Sequence, residues 1–151
     1  MKTMEKIEGK VATFSMIEKD IVLVVMKEDA VVDVPEVEEN TNITMQLTKG
    51  IRYGVLVDAR LYASITGEAR ETSSDPERNA YVIAQAVIIT SLANRLLANF
   101  LIQFHKRNKN AEMKLFNDYD AALVWLKEKI KEEQSGGKST KSKKISFLSS
   151  I

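Results

Sequence analysis

The stretch "YGVLVDARLYASITGEARETSSD", residues 53–75, passes from a run of apolar residues into an aspartate, a short polar turn and a charged helix that starts at about Thr66. A buried strand leading into a helix is the repeating unit of a parallel α/β sheet. The same unit recurs further along the chain. "IAQAVII" at 83–89 reads as another buried strand, and after Thr90 and Ser91 the residues Leu92, Leu96, Leu97, Phe100, Leu101 and Phe104 share one broad helix side. That helix ends in "HKRNKN", whose cations complement its dipole. A short strand, "MKLF" at 113–116, precedes "NDYDAALVWLKEKIKEE", a helix with Asn117 as its cap and Tyr119, Ala122, Leu123, Leu126 and Ile130 as its buried stripe. Between these units "SSDPE" re-caps the chain, with Ser74 or Asp75 ahead of Pro76.

Toward the N-terminus the pattern changes. "VATFSM" at 11–16 alternates like a half-buried strand, "IVLVVM" at 21–26 is a continuous apolar run, and "IEKD" between them predicts a hairpin turn. "DVPE" then opens a helix, with Asp33 as cap, Pro35 in the first turn and Glu36 at capping-box spacing; Lys49 and Gly50 end it. On this helix Val34, Val37, Thr41 and Met45 form one stripe, whereas Ile43 and Leu47 point to the other side. Contact with a neighbouring loop accounts for the second side, with a homodimer surface as the alternative. The expected fold is therefore a mixed, mostly parallel sheet of four or five strands, with an N-terminal antiparallel hairpin and about four helices.

The 151 residues, 44% of them hydrophobic, suffice for one core-forming domain, expected over residues 1–134. Residues 135–151, "SGGKSTKSKKISFLSSI", carry four lysines and no acid and are expected to be a flexible basic tail, which leaves the first 134 residues at a net charge of −3. A mildly acidic body has no clustered cations for a phosphate backbone, so nucleic acid is not an expected partner. No cysteine is present, which removes disulfides, thiolate metal sites and a thiol nucleophile. No apolar run approaches the length of a transmembrane helix and the N-terminus lacks a signal-like segment, so a cytoplasmic location is expected.

Chemistry-bearing patterns are scarce. The single histidine, His105, sits at a helix end, a poor start for a metal site, and Gly67 alone makes neither a phosphate loop nor a dinucleotide fingerprint. Glu38 with Glu39 and Asp118 with Asp120 read as solvated or capping pairs. No catalytic set, metal site or cofactor is expected. In open α/β sheets ligands meet the loops beyond the carboxyl ends of the strands. Asp58, Arg60, Ser91, Arg95 and Asn99 are accordingly the candidates for a polar ligand pocket, and Ser64, Thr66, Glu68 and Arg70 for partner binding or regulation. Helix capping by Thr66 and Ser91 and an ion pair from Asp58 to Arg60, Arg70 or Arg95 are the structural alternatives.

The hairpin opening, "VLVDAR" followed by "SITGEARE", the strand leading to "NRLLANF", and "MKLFNDYDAALVWLKE" together resemble bacterial SpoIIAA-like proteins of the STAS superfamily, over about residues 6–133. The resemblance implies a non-enzymatic regulatory module that binds a protein partner through the loop and helix after Asp58. A small-ligand protein, for instance for a lipid or a nucleotide, is the alternative. In the anti-sigma antagonists of that superfamily a serine in this loop is phosphorylated; here Thr66, Gly67 and Glu68 occupy its region and the target serine is missing, with Ser64 and Thr66 as nearby hydroxyls.

Overall fold

The computed structural model describes residues 5–61, 64–90, 94–109 and 111–135, with the backbone alone for 94–99. The chain runs β1 (Lys6–Glu8), β2 (Ala12–Glu18), β3 (Ile21–Met26), β4 (Val31–Val32), α1 (Val34–Thr48), β5 (Tyr53–Asp58), β6 (Ser64–Ile65), α2 (Gly67–Ser73), β7 (Val82–Ile88), α3 (Asn94–Arg107), β8 (Glu112–Phe116) and α4 (Tyr119–Gln134). Six strands form one sheet in the order β1-β2-β3-β5-β7-β8, and β4 pairs with β6 in a separate two-stranded ribbon. The pairs β1/β2 and β2/β3 are antiparallel, whereas β3/β5, β5/β7 and β7/β8 are parallel. This is the expected mixed α/β fold, with the short β1 extending the hairpin at its edge.

The sheet separates two cores. On one face α4 packs alone: Ala122, Leu126 and Ile130 meet Ile21, Leu56, Ile83, Ala84, Ala86 and Ile88. Close approach requires Gly54, because a Cβ there would lie 2.9 Å from the Cδ1 atoms of both Leu126 and Ile130. On the other face α1, α2 and α3 cover Phe14, Val22, Val24, Tyr53, Val55, Val82, Val87 and Met113. Register fixes which residues face which side. Tyr53 pairs with Val82 and Gly54 with Ala84, so β7 carries one extra residue at Ile83. This bulge keeps Val82 on the α1–α3 face while both Ile83 and Ala84 turn toward α4.

Local signals act largely as expected. Asp33 caps α1 in a complete capping box with Glu36, and Lys49 ends the helix in the left-handed region at φ 54°. Thr66 is the cap of α2. Two details differ. The cap of α4 is Asp118, not Asn117: its carboxylate accepts from the Ala121 amide at 2.8 Å, one residue later in the chain. On α1 the expected stripe is buried at Val37 but not at its end, where Met45 is 58% exposed, while Ile43 and Leu47 of the other side are buried. The reason is tertiary, because Ile43 lies against the turn between β1 and β2, where its Cδ1 is 3.0 Å from the position a Gly9 Cβ would take. Ile43 therefore makes the neighbouring-loop contact within the chain, and Leu47 joins the core on the same side of the sheet. No helix among the described residues is long and apolar enough to cross a membrane. The expected tail lies outside the described residues after Ser135.

Candidate functional site

The two faces are covered unequally. Among the described residues a single helix closes the α4 face, but on the other α1 lies near β2 and β3 while α3 lies near β8, and α2 with the turn that follows it joins them, packing on α1 and bonding to the C-terminal end of α3. Beneath that bridge is a cavity of about 220 Å³. Its walls are mainly apolar: Val55, Val57 and Val82 on the sheet, Val37 on α1, and Phe100 and Phe104 on α3. The two phenylalanine rings meet edge to face, 6.5 Å apart and at 89°, which gives that wall a fixed shape.

Polar groups enter this lining from three directions. From the sheet comes Gln85, in register with Val55 and Met113, the polar exception among the cavity-facing side chains of β7. Its amide has no hydrogen bond among the described residues. Tyr53, at the start of β5, is buried, and burial raises its phenol above the ordinary value, so the hydroxyl stays protonated at neutral pH. From α1 come Asn40, Thr41 and Thr44; from the turn before β7 come Arg78 and Asn79. Arg78 donates through Nη1 to the Thr41 hydroxyl at 3.0 Å and sets Nη2 3.6 Å from Glu38. Its Nε, together with Asn40 Oδ1, is a buried polar atom without a hydrogen-bond partner among the described residues. The two atoms belong to different elements, α1 and the turn before β7, and both are closed off from solvent.

The roof is tied down by its own hydrogen bonds. Asn79 Nδ2 donates to the Ser73 and Asp75 carbonyls, both at 2.9 Å. Asn108, just past the end of α3, donates through Nδ2 to the carbonyls of Ser74 at 2.9 Å and Phe104 at 3.1 Å. Arg107 adds bonds from Nη1 to the Glu71 carbonyl and the Ser74 hydroxyl, both at 3.0 Å. The fully buried Ser74 is therefore a clasp between the C-terminal ends of α2 and α3.

The residues expected from strand-end reasoning stand elsewhere. Asp58 and Arg60 pair with each other through two guanidinium bonds of 2.9 and 2.8 Å, the Arg60 bonds hold the Asp58 carboxyl below its usual value, and Asp118 at the start of α4 adds attraction for the Arg60 cation. Asp58 shares its side of β5 with Gly54 and Leu56, away from the cavity. Thr66 has its hydroxyl engaged twice, donating to Asp33 at 2.9 Å and accepting from the Ala69 amide at 3.1 Å. Arg70 donates to the Ile65 carbonyl at 3.2 Å. Ser64 and Glu68 are exposed. Ser91 lies outside the described residues, as do the side chains of Arg95 and Asn99. Ile65, between Ser64 and Thr66, is the point at which this segment reaches the cavity.

Sequence reasoning missed Gln85, Asn40, Arg78 and Asn79. The available signal was Gln85 itself, a large polar side chain inside an apolar run that otherwise reads as a strand buried on both faces. Among the described residues no three His, Cys, Asp or Glu side chains come together as a metal site.

Fold and cavity define a small mixed α/β protein with a partly open pocket lined by apolar groups, a few amides and hydroxyls and one guanidinium. The chain belongs to the family described as a domain of unknown function (DUF7793), whose profile matches residues 15–130. The match takes in every lining residue of the cavity except Phe14. No curated protein matches the chain significantly.

Proposed function

We propose that this protein is a non-catalytic, small-molecule-binding module that takes a compact, largely apolar ligand with one polar end into the cavity beneath α2. The observation that carries this reading is an apolar space whose lining includes the Gln85 amide, without a hydrogen bond among the described residues, beside the polar side chains of Asn40, Thr41, Thr44, Arg78 and Asn79. Leaving such an amide unpaired in a protein interior costs about 1–3 kcal/mol, so its retention in an apolar wall favours a role outside stability. The described polar lining consists of amides, hydroxyls and one guanidinium, none of which is a general base at neutral pH. That composition supports binding over catalysis.

Size limits the ligand. A dry cavity of about 150 Å³ lodges benzene, so about 220 Å³ suits a molecule of about eight to ten non-hydrogen atoms. Docking of a protein partner through the segment after Asp58 is less well supported, because Thr66 and Arg70 are engaged within the chain. A phosphoryl group on Thr66 would remove the hydrogen bond donated to Asp33 and set a dianion beside that carboxylate. The STAS-like resemblance is compatible with a binding role of either kind.

Calorimetric titration with benzene, 1-hexanol and hexanoate tests the proposal. Saturable one-site binding is expected, with Kd of about 1–6 mM, from about 0.5 kcal/mol per ligand atom over six to eight atoms. It should be lost in Val55→Phe, which fills the cavity from the sheet side, and weakened in the milder Val55→Leu, both checked for folding by circular dichroism. Absence of binding for all three probes, or binding indifferent to a folded Val55→Phe, refutes the proposal.

A further inference from the structure

We infer that the polar end of the ligand is a neutral amide, a primary carboxamide or a lactam, and that Gln85 is the residue that recognises it; this rests on the small-molecule reading above and specifies its ligand class. Gln85 lies in the middle of β7, a strand with a neighbour on each side, and its register partners Val55 and Met113 are buried. Gln85 itself is only half-buried. At that place in the sheet its remaining surface opens into the cavity that it lines. The closed-off side-chain polar atoms without a partner among the described residues are Asn40 Oδ1 and Arg78 Nε. Neither end of the Gln85 amide is among them, and neither has a hydrogen bond among the described residues, so Oε1 and Nε2 are both accessible and both unpaired.

No other polar side chain of the described lining offers both ends of an amide. Asn40 has its Oδ1 closed off, Asn79 commits Nδ2 to the Ser73 and Asp75 carbonyls, and Arg78 is held by Thr41 and Glu38. The hydroxyls of Thr44, Tyr53 and Ser73 rotate to donate or to accept, so they accommodate a polar head group without selecting its kind. A planar amide does select. Its acceptor and its donor stand side by side, and the group that meets both at once carries an N–H next to a C=O, which is the edge of a second amide. Two parallel hydrogen bonds then close a ring within one residue and one ligand group. The match holds whichever way the side-chain amide is turned, because the ligand turns with it. A ketone meets Nε2 alone and leaves Oε1 unpaired in an apolar wall. A carboxylate sets a charged acceptor against Oε1, and the guanidinium of the lining is already balanced by Glu38. The valines and the two phenylalanines around Gln85 leave room for about one aromatic ring beneath such a head group.

The test compares benzamide, acetophenone and benzoate, probes of one size and shape that differ at a single head-group position, in NMR titrations of the isotope-labelled full chain at neutral pH. Benzamide is expected to bind about five-fold tighter than acetophenone, with benzoate the weakest. Benzamide should also shift the side-chain amide signals of Gln85, assigned through their own backbone. In Gln85→Leu the order should reverse, acetophenone binding about three-fold tighter than benzamide, because the benzamide head group is then buried without a partner. Should that variant fail to fold, the wild-type order and the Gln85 signals decide. Acetophenone binding as tightly as benzamide, or Gln85 signals that stay in place at saturation, overturns the amide inference while the small-molecule reading stands. A benzamide preference that persists in folded Gln85→Leu overturns the assignment to Gln85. Failure of all three probes together with benzene and 1-hexanol overturns both readings, whereas their failure with benzene or 1-hexanol bound overturns the amide inference alone.

Discussion

Replacing Gly54 by alanine should loosen α4 from the sheet by an amount set by three distances. The added Cβ would stand 2.9 Å from Leu126 Cδ1, 2.9 Å from Ile130 Cδ1 and 3.2 Å from Leu126 Cγ. The two Cδ1 atoms end flexible side chains and can swing away, but Cγ is the branch point of a fully buried leucine, so the helix or the strand must shift. Overpacking of this kind costs about 1–3 kcal/mol, and alanine recovers about 0.5–1 kcal/mol by restricting the unfolded chain. A net loss of about 1–2 kcal/mol follows, which for a domain of this size lowers Tm by about 3–8 °C. Urea unfolding can be read from Trp125, the one tryptophan of the chain, whose ring lies 5.6 Å from Phe116 on the same face. Leu126→Ala alone should cost about 2–5 kcal/mol by leaving a cavity. The double variant should fall short of additivity by about 1 kcal/mol, because removing the leucine branch removes the clash. Gly54→Ala within 0.5 kcal/mol of wild type, or strict additivity in the double variant, would refute this account of the α4 contact. Binding of 1-hexanol on the opposite face should change less than about two-fold in the folded Gly54→Ala protein.

Three further outcomes are expected. Gln85→Leu should raise stability by about 0.5–1.5 kcal/mol in urea melts by removing an unpaired amide from an apolar wall; a loss of that size would mean that the amide is satisfied within the protein. Thr66→Ala should cost about 0.5–2 kcal/mol and Asp33→Ala more, since Asp33 both caps α1 and accepts from Thr66. The pair should be non-additive in a double-mutant cycle, and simple additivity would contradict the shared bond. The third concerns acid. Arg60 lowers the Asp58 carboxyl below its unfolded value, so the pair stabilises the fold above about pH 4 and this contribution disappears as pH falls through the lowered value. Thermal melts from pH 2 to 6 should therefore show a shallower acid limb for Asp58→Asn than for wild type, and an unchanged slope would show that the pair does not couple to folding.

What the sequence made legible was local. The capping box at Asp33 and Glu36, the left-handed end at Lys49 and the start of α2 at Thr66 each depend on residues three or four apart, and all three form where the residue types require them. The burial of Ile43 was not legible, because it is set by where the turn at Gly9 lies, a contact more than thirty residues away in the chain. Orientation within β7 was hidden for a different reason. The extra residue at Ile83 resets the alternation, and only the register with β5 shows that Gln85 faces the α1–α3 layer. The rule that ligands meet strand ends drew attention to Asp58 through Arg70, whereas the cavity lies between the sheet face and its helices, where Arg78, Asn40 and Gln85 converge from a turn, a helix and a strand.

The order of the main sheet, β1-β2-β3-β5-β7-β8, is also the order in which its strands occur along the chain. Every strand therefore finds its partner already made when it leaves the ribosome, and none has to be threaded between two strands that have paired. The hairpin acts as the template, each strand-and-helix unit adds at the same growing edge, and α4, the last described element, seals the face that contains Gly54. A nascent chain stopped after β5 would already hold the antiparallel half of the sheet and its first parallel pair, with the β5 edge still open for a chaperone to shield until β7 arrives.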